Sequence, residues 1–270
     1  MKYSEDDIEA IMFPTTHSLD KDFSICNWRR LSLFCFDFES TDRYPTRAST
    51  QMIQFYGKTI VGLDKTVAEF GTLIHTDTEI QKEASSVHHI YKEDLVGAPC
   101  LEDVLEKIYK NISNSDLLVA YNGLSFDFPL LLRDLANHGY DISNVPPMFD
   151  PIVIFRYING KYSASRQLDA AAHYKIFDQI GNVAHGESSL HDAKTDVNLL
   201  IGIVRKMMNT DAPWNVGRLL DVQRNEFLKQ SAHRVKQFGE KPFNEWLQEI
   251  TDACNGIYSD PPTEVPNEEL

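Results

Sequence analysis

The sequence predicts an α/β fold with a mixed central β-sheet flanked by helices and a C-terminal helical extension. Three observations predict it. LSLFCFDF at 31–38 is apolar on both alternating faces, as a strand buried on both sides must be. The segment order reads β-β-β-α-β-α and then turns mostly helical. The composition is 42% hydrophobic and 11% aromatic over 270 residues, enough to build a packed core and to exclude wholesale disorder.

Residues 1–30 read as an N-terminal extension. After the first strand, QMIQFYG (51–57) and TVAEFGTLIHT (66–76) are turn-bounded and β-rich, which predicts a meander. Apolar residues at 101, 104, 105, 108 and 112 follow helical spacing. LLVAYN (117–122) reads as a short buried strand, and residues 125–138 as a helix capped by Ser125. FDPIVIFRYI (149–158) fits a strand or a helix. Residues 168–174 and 188–208 read as helices, the second capped by Ser188 or Ser189, and 214–254 as two more. SDPPTEVPNEEL (259–270) has the composition of a disordered acidic tail. The expected domains are an extension at 1–30, a main α/β domain at 31–205, a helical extension at 206–258 and the tail at 259–270.

No apolar run approaches the ~18 residues of a membrane span, and the acidic N-terminus does not resemble a signal peptide. Cys26, Cys35, Cys100 and Cys254 form no CxxC pair, so reduced thiols and an intracellular, cytoplasmic setting are expected.

The formal net charge of -14 argues against a phosphate-backbone partner until its distribution is mapped. Residues 1–22 hold six acids against two lysines, and 245–270 hold seven acids and no base. The interior, 23–244, has 24 bases and 27 acids. Within it, residues 205–241 carry eight bases and four acids, including Arg218, Arg224, Lys229, Arg234, Lys236 and Lys241. That stretch is read either as a substrate path or partner surface, or as the solvated face of a helical hairpin.

Three segments carry candidate chemistry. Asp37 and Glu39, at i and i+2 on a strand, share one face. Two such acids repel each other unless a cation lies between them, and all-oxygen ligation suits Mg²⁺ or Mn²⁺. The alternative is a strand that ends at residue 36 with both acids solvated. In Tyr121-Asn122-Gly123-Leu124-Ser125-Phe126-Asp127-Phe128-Pro129 a strand turns into a helix, and Asp127 suits the dipole at a helix start as well as a ligand role. In His191-Asp192-Ala193-Lys194-Thr195-Asp196 the aspartate lies within a helix and the histidine at its entry. Asp192, at i, i+4 from Asp196, is a rival ligand or a cap.

Taken in order, these segments resemble the DEDD superfamily of 3′–5′ exonucleases, in its histidine-containing (DEDDh, DnaQ-like) branch. The sequence is similar to proofreading exonucleases of the DNA polymerase III epsilon type. Val87-His88-His89-Ile90 with Leu95-Val96-Gly97-Ala98-Pro99, Asp150, and Gln167-Leu168-Asp169 fall where that family has further motifs. The resemblance spans roughly 31–205. It departs in having Ser40-Thr41 for two threonines and His89 for a glycine.

The resemblance implies a ribonuclease-H-like fold. It implies two divalent metal ions, Mg²⁺ or Mn²⁺, held by Asp37, Glu39, Asp127 and Asp196, with His191 as general base. Ser40, Thr41, His88, His89 and Asn122 are the substrate-contact candidates. It further implies release of nucleoside 5′-monophosphates from nucleic acid with a free 3′ end. DNA is favoured, RNA trimming is the alternative, and a non-catalytic binding module is the reading furthest from the residues. The partner class it suggests is a polymerase or another replication or repair protein, and no membrane.

Overall fold

The computed structural model describes residues 2–14, 28–160, 166–176, 192–210 and 215–258. One five-stranded mixed sheet runs through it in the order β3-β2-β1-β4-β5. Strand β1 (Ser32–Ser40) pairs antiparallel with β2 (Met52–Val61), which pairs antiparallel with β3 (Lys65–Leu73). On the other side β1 pairs parallel with β4 (Leu117–Val119), and β4 with β5 (Met148–Phe149). The mixed sheet flanked by helices is the expected ribonuclease-H-like arrangement.

The two faces of β1 do different work. Phe34, Phe36 and Phe38 line one face, where Phe38 and Phe34 also pack on Phe55 of β2. Gly57 keeps that layer tight, since a Cβ there would lie 2.3 Å from the Phe34 ring. Leu33 and Cys35 start the opposite face, fully buried, and Asp37 and Glu39 continue it. Helix α7 (Ala193–Thr210) packs on β1 and β2. It buries Val197, Leu200 and Val204.

Other elements settle the open alternatives. Residues 149–158 divide into β5 and helix α5 (Pro151–Asn159), because Asp150 caps the helix and Pro151 occupies its first position. Helix α4 spans Asp127–Asn137, and its cap is Phe126, not the expected Ser125. The turn winds first: Phe126 and Phe128 N–H both donate to Gly123 O, which delays the helix. Helices α2 (Lys82–His88), α3 (Leu101–Ser113) and α6 (Gln167–His173) complete the surround.

Residues 5–12, within the stretch read as an extension, form helix α1 (Glu5–Met12), with Ile8 and Met12 in the core. It packs on α9 (Phe243–Cys254). Asn255 Oδ1 accepts from Lys2 and Tyr3 N–H at 2.6 and 3.0 Å and fastens that end. Helix α8 (Val216–Phe238) packs on α5, and its Gln223 reaches the sheet. Gln223 Oε1 accepts from Asp150 N–H at 2.7 Å and its Nε2 donates to Met148 O at 2.8 Å. A side-chain amide thus satisfies the open edge of β5, as a sixth strand would. Ser188, Ser189 and the 259–270 tail lie outside the described residues. No helix among the described residues is long and apolar enough to cross a membrane.

Candidate active site

The end of β1 carries the acids. Parallel strands β4 and β5 finish beside it, so the loops that follow them open at the same edge. Asp37, Glu39 and Asp196 each place a carboxylate oxygen such that all three lie within 4.8 Å of one another. Asp127 joins from α4: its Oδ1 accepts the Phe38 backbone N–H at 3.2 Å, between the two acids of β1.

The electrostatics follow from crowding and burial. Burial first, then Asp127, Glu39 and Asp196, push the Asp37 carboxyl well above the usual carboxylate range. Glu39 is pushed up to about 9, by burial and then by Asp196 and Asp127. Asp127 rises to about 7, mainly through burial, although the Phe38 N–H opposes the shift. A set of crowded, all-oxygen, anionic donors fits hard divalent cations, which would neutralise the repulsion that burial magnifies.

Neighbouring side chains hold the acids in place. Gln54 lies opposite Glu39 on β2. Its Oε1 accepts from Ala193 N–H at 3.1 Å, which pins the head of α7 to the sheet. Gln167 Nε2 donates to Asp196 O at 2.6 Å. Asp192 accepts from Thr195 N–H and Oγ1 at 3.3 and 3.2 Å, the cap arrangement. It is not among the three clustered carboxylates.

The loop before Asp127 is fixed by Asp150. This acid is 1% exposed and accepts from Asn122, Leu124 and Ile152 N–H at 2.9, 3.1 and 3.2 Å. Burial nonetheless pushes its carboxyl up to about 6. Asn122 takes a left-handed φ of 62°, and Gly123 has no room for a Cβ, which would lie 1.9 Å from Met148 Cε.

The substrate-contact candidates divide. Ser40 Oγ donates to Asp42 O at 2.7 Å. Thr41 is fully buried; its N–H donates to Gln51 O and its Oγ1 to Ser49 O. Both thus serve the β1–β2 loop. His88 is buried with Nδ1 accepting from Ile90 N–H at 3.0 Å, while His89 is exposed at φ 56° and closes α2. His191 lies outside the described residues.

Sequence reasoning missed Arg133. It is 4% exposed and donates to Pro45, Arg47 and Thr50 carbonyls at 2.9, 2.8 and 2.7 Å, tying the β1–β2 loop to α4. Its sequence neighbour Asp134 supplies the counter-charge, but the three carbonyls leave no local signature. A separate cavity of about 370 Å³ between β2 and α7 is lined by Lys58, Asn198, Gly202 and Arg205, and by none of the four acids.

The basic stretch of α8 and α9 is largely paired. Arg224 meets Glu9, Lys229 meets Glu226, Arg234 meets Glu240 and Lys241 meets Glu249. This is the pattern of an ordinary solvated helical face.

Comparison with known proteins adds three findings. The model of the exonuclease family RNase_T matches residues 34–200. No curated protein matches the sequence. Among solved structures, the zinc-bound E. coli ExoI complex with single-stranded DNA is similar, with a TM-score of 0.56 at 15% identity over 78% of this chain. Exonuclease I from Methylocaldum szegediense gives 0.55 at 15% over 77%. The chain spans less than half of each of these proteins, 45% and 46%. At such identity the likeness is one of fold.

Proposed function

The chain belongs to the DEDD-type exonuclease family, and from that premise we propose that it hydrolyses nucleic acid from a free 3′ end. The observation that carries this reading is the convergence of Asp37, Glu39 and Asp196 within 4.8 Å, with Asp127 fastened between the first two. Asp37, Glu39, Asp127 and Asp196 would hold two Mg²⁺ or Mn²⁺ ions. When bound, such ions supply an activated water and stabilise charge on the leaving oxygen.

The chain's own residues do the rest. His191, two positions before α7 in the sequence, accepts one proton of the attacking water, as an imidazole can at neutral pH. The water oxygen forms a bond to phosphorus, the bond from phosphorus to the 3′ oxygen breaks, and that oxygen leaves as a hydroxyl after taking a proton from solvent water. The products are a nucleoside 5′-monophosphate and a strand shorter by one unit. Asp150 and Arg133 keep the flanking loops in position. Ser40 and Thr41 follow Glu39 in the chain, Asn122 lies on the loop before Asp127, and His88 and His89 lie on the connector. DNA is the favoured substrate, in keeping with the similarity to proofreading enzymes; RNA trimming is the second reading.

Digestion of 5′-labelled DNA and RNA strands, with Mg²⁺ or with EDTA, tests the proposal. A ladder that shortens from the 3′ end and disappears with EDTA and in Asp37→Ala is expected. Cutting of a circular substrate, or full activity in Asp37→Ala/Glu39→Ala, would refute it.

A further inference from the structure

Asp37 and Glu39 are fixed in β1 by their register with Tyr56 and Gln54 of β2. Asp196, whose carboxylate meets theirs within 4.8 Å, arrives on the first turn of helix α7. Bringing these groups together costs free energy, whether they stay charged and repel or take up protons to avoid it. That cost falls most easily if the first turn of α7 lifts away from β1, because the strand cannot move without breaking its ladder. The turn therefore has to be held down.

Two glutamines grip its main chain. Gln54 Oε1 accepts from Ala193 N–H at 3.1 Å, one of the helix-start donors that have no partner inside the helix. Gln54 Nε2 donates to Asp192 Oδ1 at 3.4 Å, and the other oxygen of Asp192 accepts from Thr195. From α6, Gln167 Nε2 donates to Asp196 O at 2.6 Å, the carbonyl of the clustered acid itself. A carbonyl inside a helix already accepts the N–H four residues on. A second donor there adds little that the helix needs, but it fixes where the residue sits. Neither glutamine occupies the Asp196 carboxylate.

We propose that Gln54 and Gln167 are positioning residues, a two-point clamp that holds Asp196 beside Asp37 and Glu39 before any metal ion arrives. Gln54 is the strand partner of Glu39, so it ties the helix to one of the acids whose spacing matters. Gln167 holds the same turn from the α6 side, and α7 packs on both elements. The grip on Asp192 also directs that rival carboxylate towards Gln54 and Thr195, in keeping with its absence from the three clustered acids. An ion then meets donors already in place, which is how residues behind a ligand set raise its affinity. The inference rests on the reading of these acids as metal ligands under the function proposed above.

Hydrogen exchange of residues 193–197 in the full chain, in EDTA and with Mn²⁺, tests the clamp. In EDTA, Gln54→Leu should speed exchange in that turn by roughly tenfold, as for one lost hydrogen bond. Val204, buried further along the same helix, should keep its parental rate. Mn²⁺ affinity should fall by roughly tenfold to a hundredfold in Gln54→Leu and in Gln167→Leu. Saturating Mn²⁺ should restore protection, since the ion then holds Asp196 in place of the glutamines. Gln167→Leu carries the test if Gln54→Leu does not fold. Unchanged exchange and Mn²⁺ affinity overturn the proposal, because packing of Val197 and Leu200 would then suffice. Acceleration shared equally by Val204 overturns it too, because the glutamines would then serve the whole fold.

Hydrolysis gives a separate readout. At limiting Mg²⁺ both variants should lose kcat while KM for a labelled strand stays within about twofold, and excess Mg²⁺ should recover kcat. A raised KM with kcat unchanged would assign the glutamines to substrate binding and refute the clamp. If the turn loosens in EDTA and Mn²⁺ restores it, yet the parent cuts no strand, the proposed function fails and the clamp stands.

Discussion

The Phe38 backbone N–H donates to Asp127 Oδ1 at 3.2 Å, so an acid of α4 is tied to the stretch of β1 between Asp37 and Glu39. Asn at 127 would keep the acceptor and lose the charge. Asp127→Asn should therefore fold, lose roughly 10²-fold or more in hydrolysis rate, and respond less to Mg²⁺. In EDTA its Tm should be a few degrees above the parent, about 2–4 °C for each kcal/mol of relieved repulsion in a chain of this size. Calorimetry with and without Mg²⁺ checks both; an unchanged metal response would remove Asp127 from the ligand set.

Arg133 carries a second load. Arg133→Met would leave three carbonyls of the β1–β2 loop without their donor and Asp134 without its partner, at 2.5 Å in the native pair. A loss of about 3–5 kcal/mol is expected for breaking a buried pair. Burial already raises the Asp134 carboxyl despite Arg133, so Arg133→Met/Asp134→Leu should recover part of the loss. Urea unfolding of the single and double variants measures that coupling.

Gln223→Leu would strip both hydrogen bonds from the end of β5. We expect about 2–4 kcal/mol of destabilisation from two unsatisfied backbone groups. Amide exchange at Asp150 and at the neighbouring Asn122 and Leu124 should quicken. Protection unchanged at all three amides would show that α8 does not support the loop.

The thiols report on the core. Burial pushes Cys35 and Cys254 up to about 12, whereas Cys100 is exposed. At pH 8 iodoacetamide should modify Cys100 readily and the other two only on unfolding, which peptide mapping would show. Because the unfolded thiols ionise near ~8.5, the buried pair stabilises the fold below that pH. Their contribution is lost as pH rises from there toward 12.

Local pattern carried much of this architecture. The alternation of β1, the helix spacing of α3 and the turn before Asp127 are short-range properties, and so the strands, most helices and the four acids could be read in order. What escaped was long-range. Gln223 and Asp150 are 73 residues apart, and Arg133 and Thr50 are 83; a glutamine or arginine inside an amphipathic helix looks the same whether it faces water or a buried carbonyl. Ser125 misled because its capping chemistry is local, whereas the turn is set by Asp150 and by the absence of room at Gly123. The basic stretch stayed open between two readings for the same reason, since its partners Glu9 and Glu249 become visible only in three dimensions.

The two margins of the sheet are protected by different means. Strand β3 is mostly exposed and carries Lys65 and Glu69, charges that discourage another strand from docking. The β5 margin relies on a single amide from residue 223. During synthesis that margin stays open while some 73 further residues emerge. The nascent chain therefore makes all four clustered acids, Asp196 last, before Gln223 can close the sheet, and until then α5 and β5 are the part most open to wrong pairing.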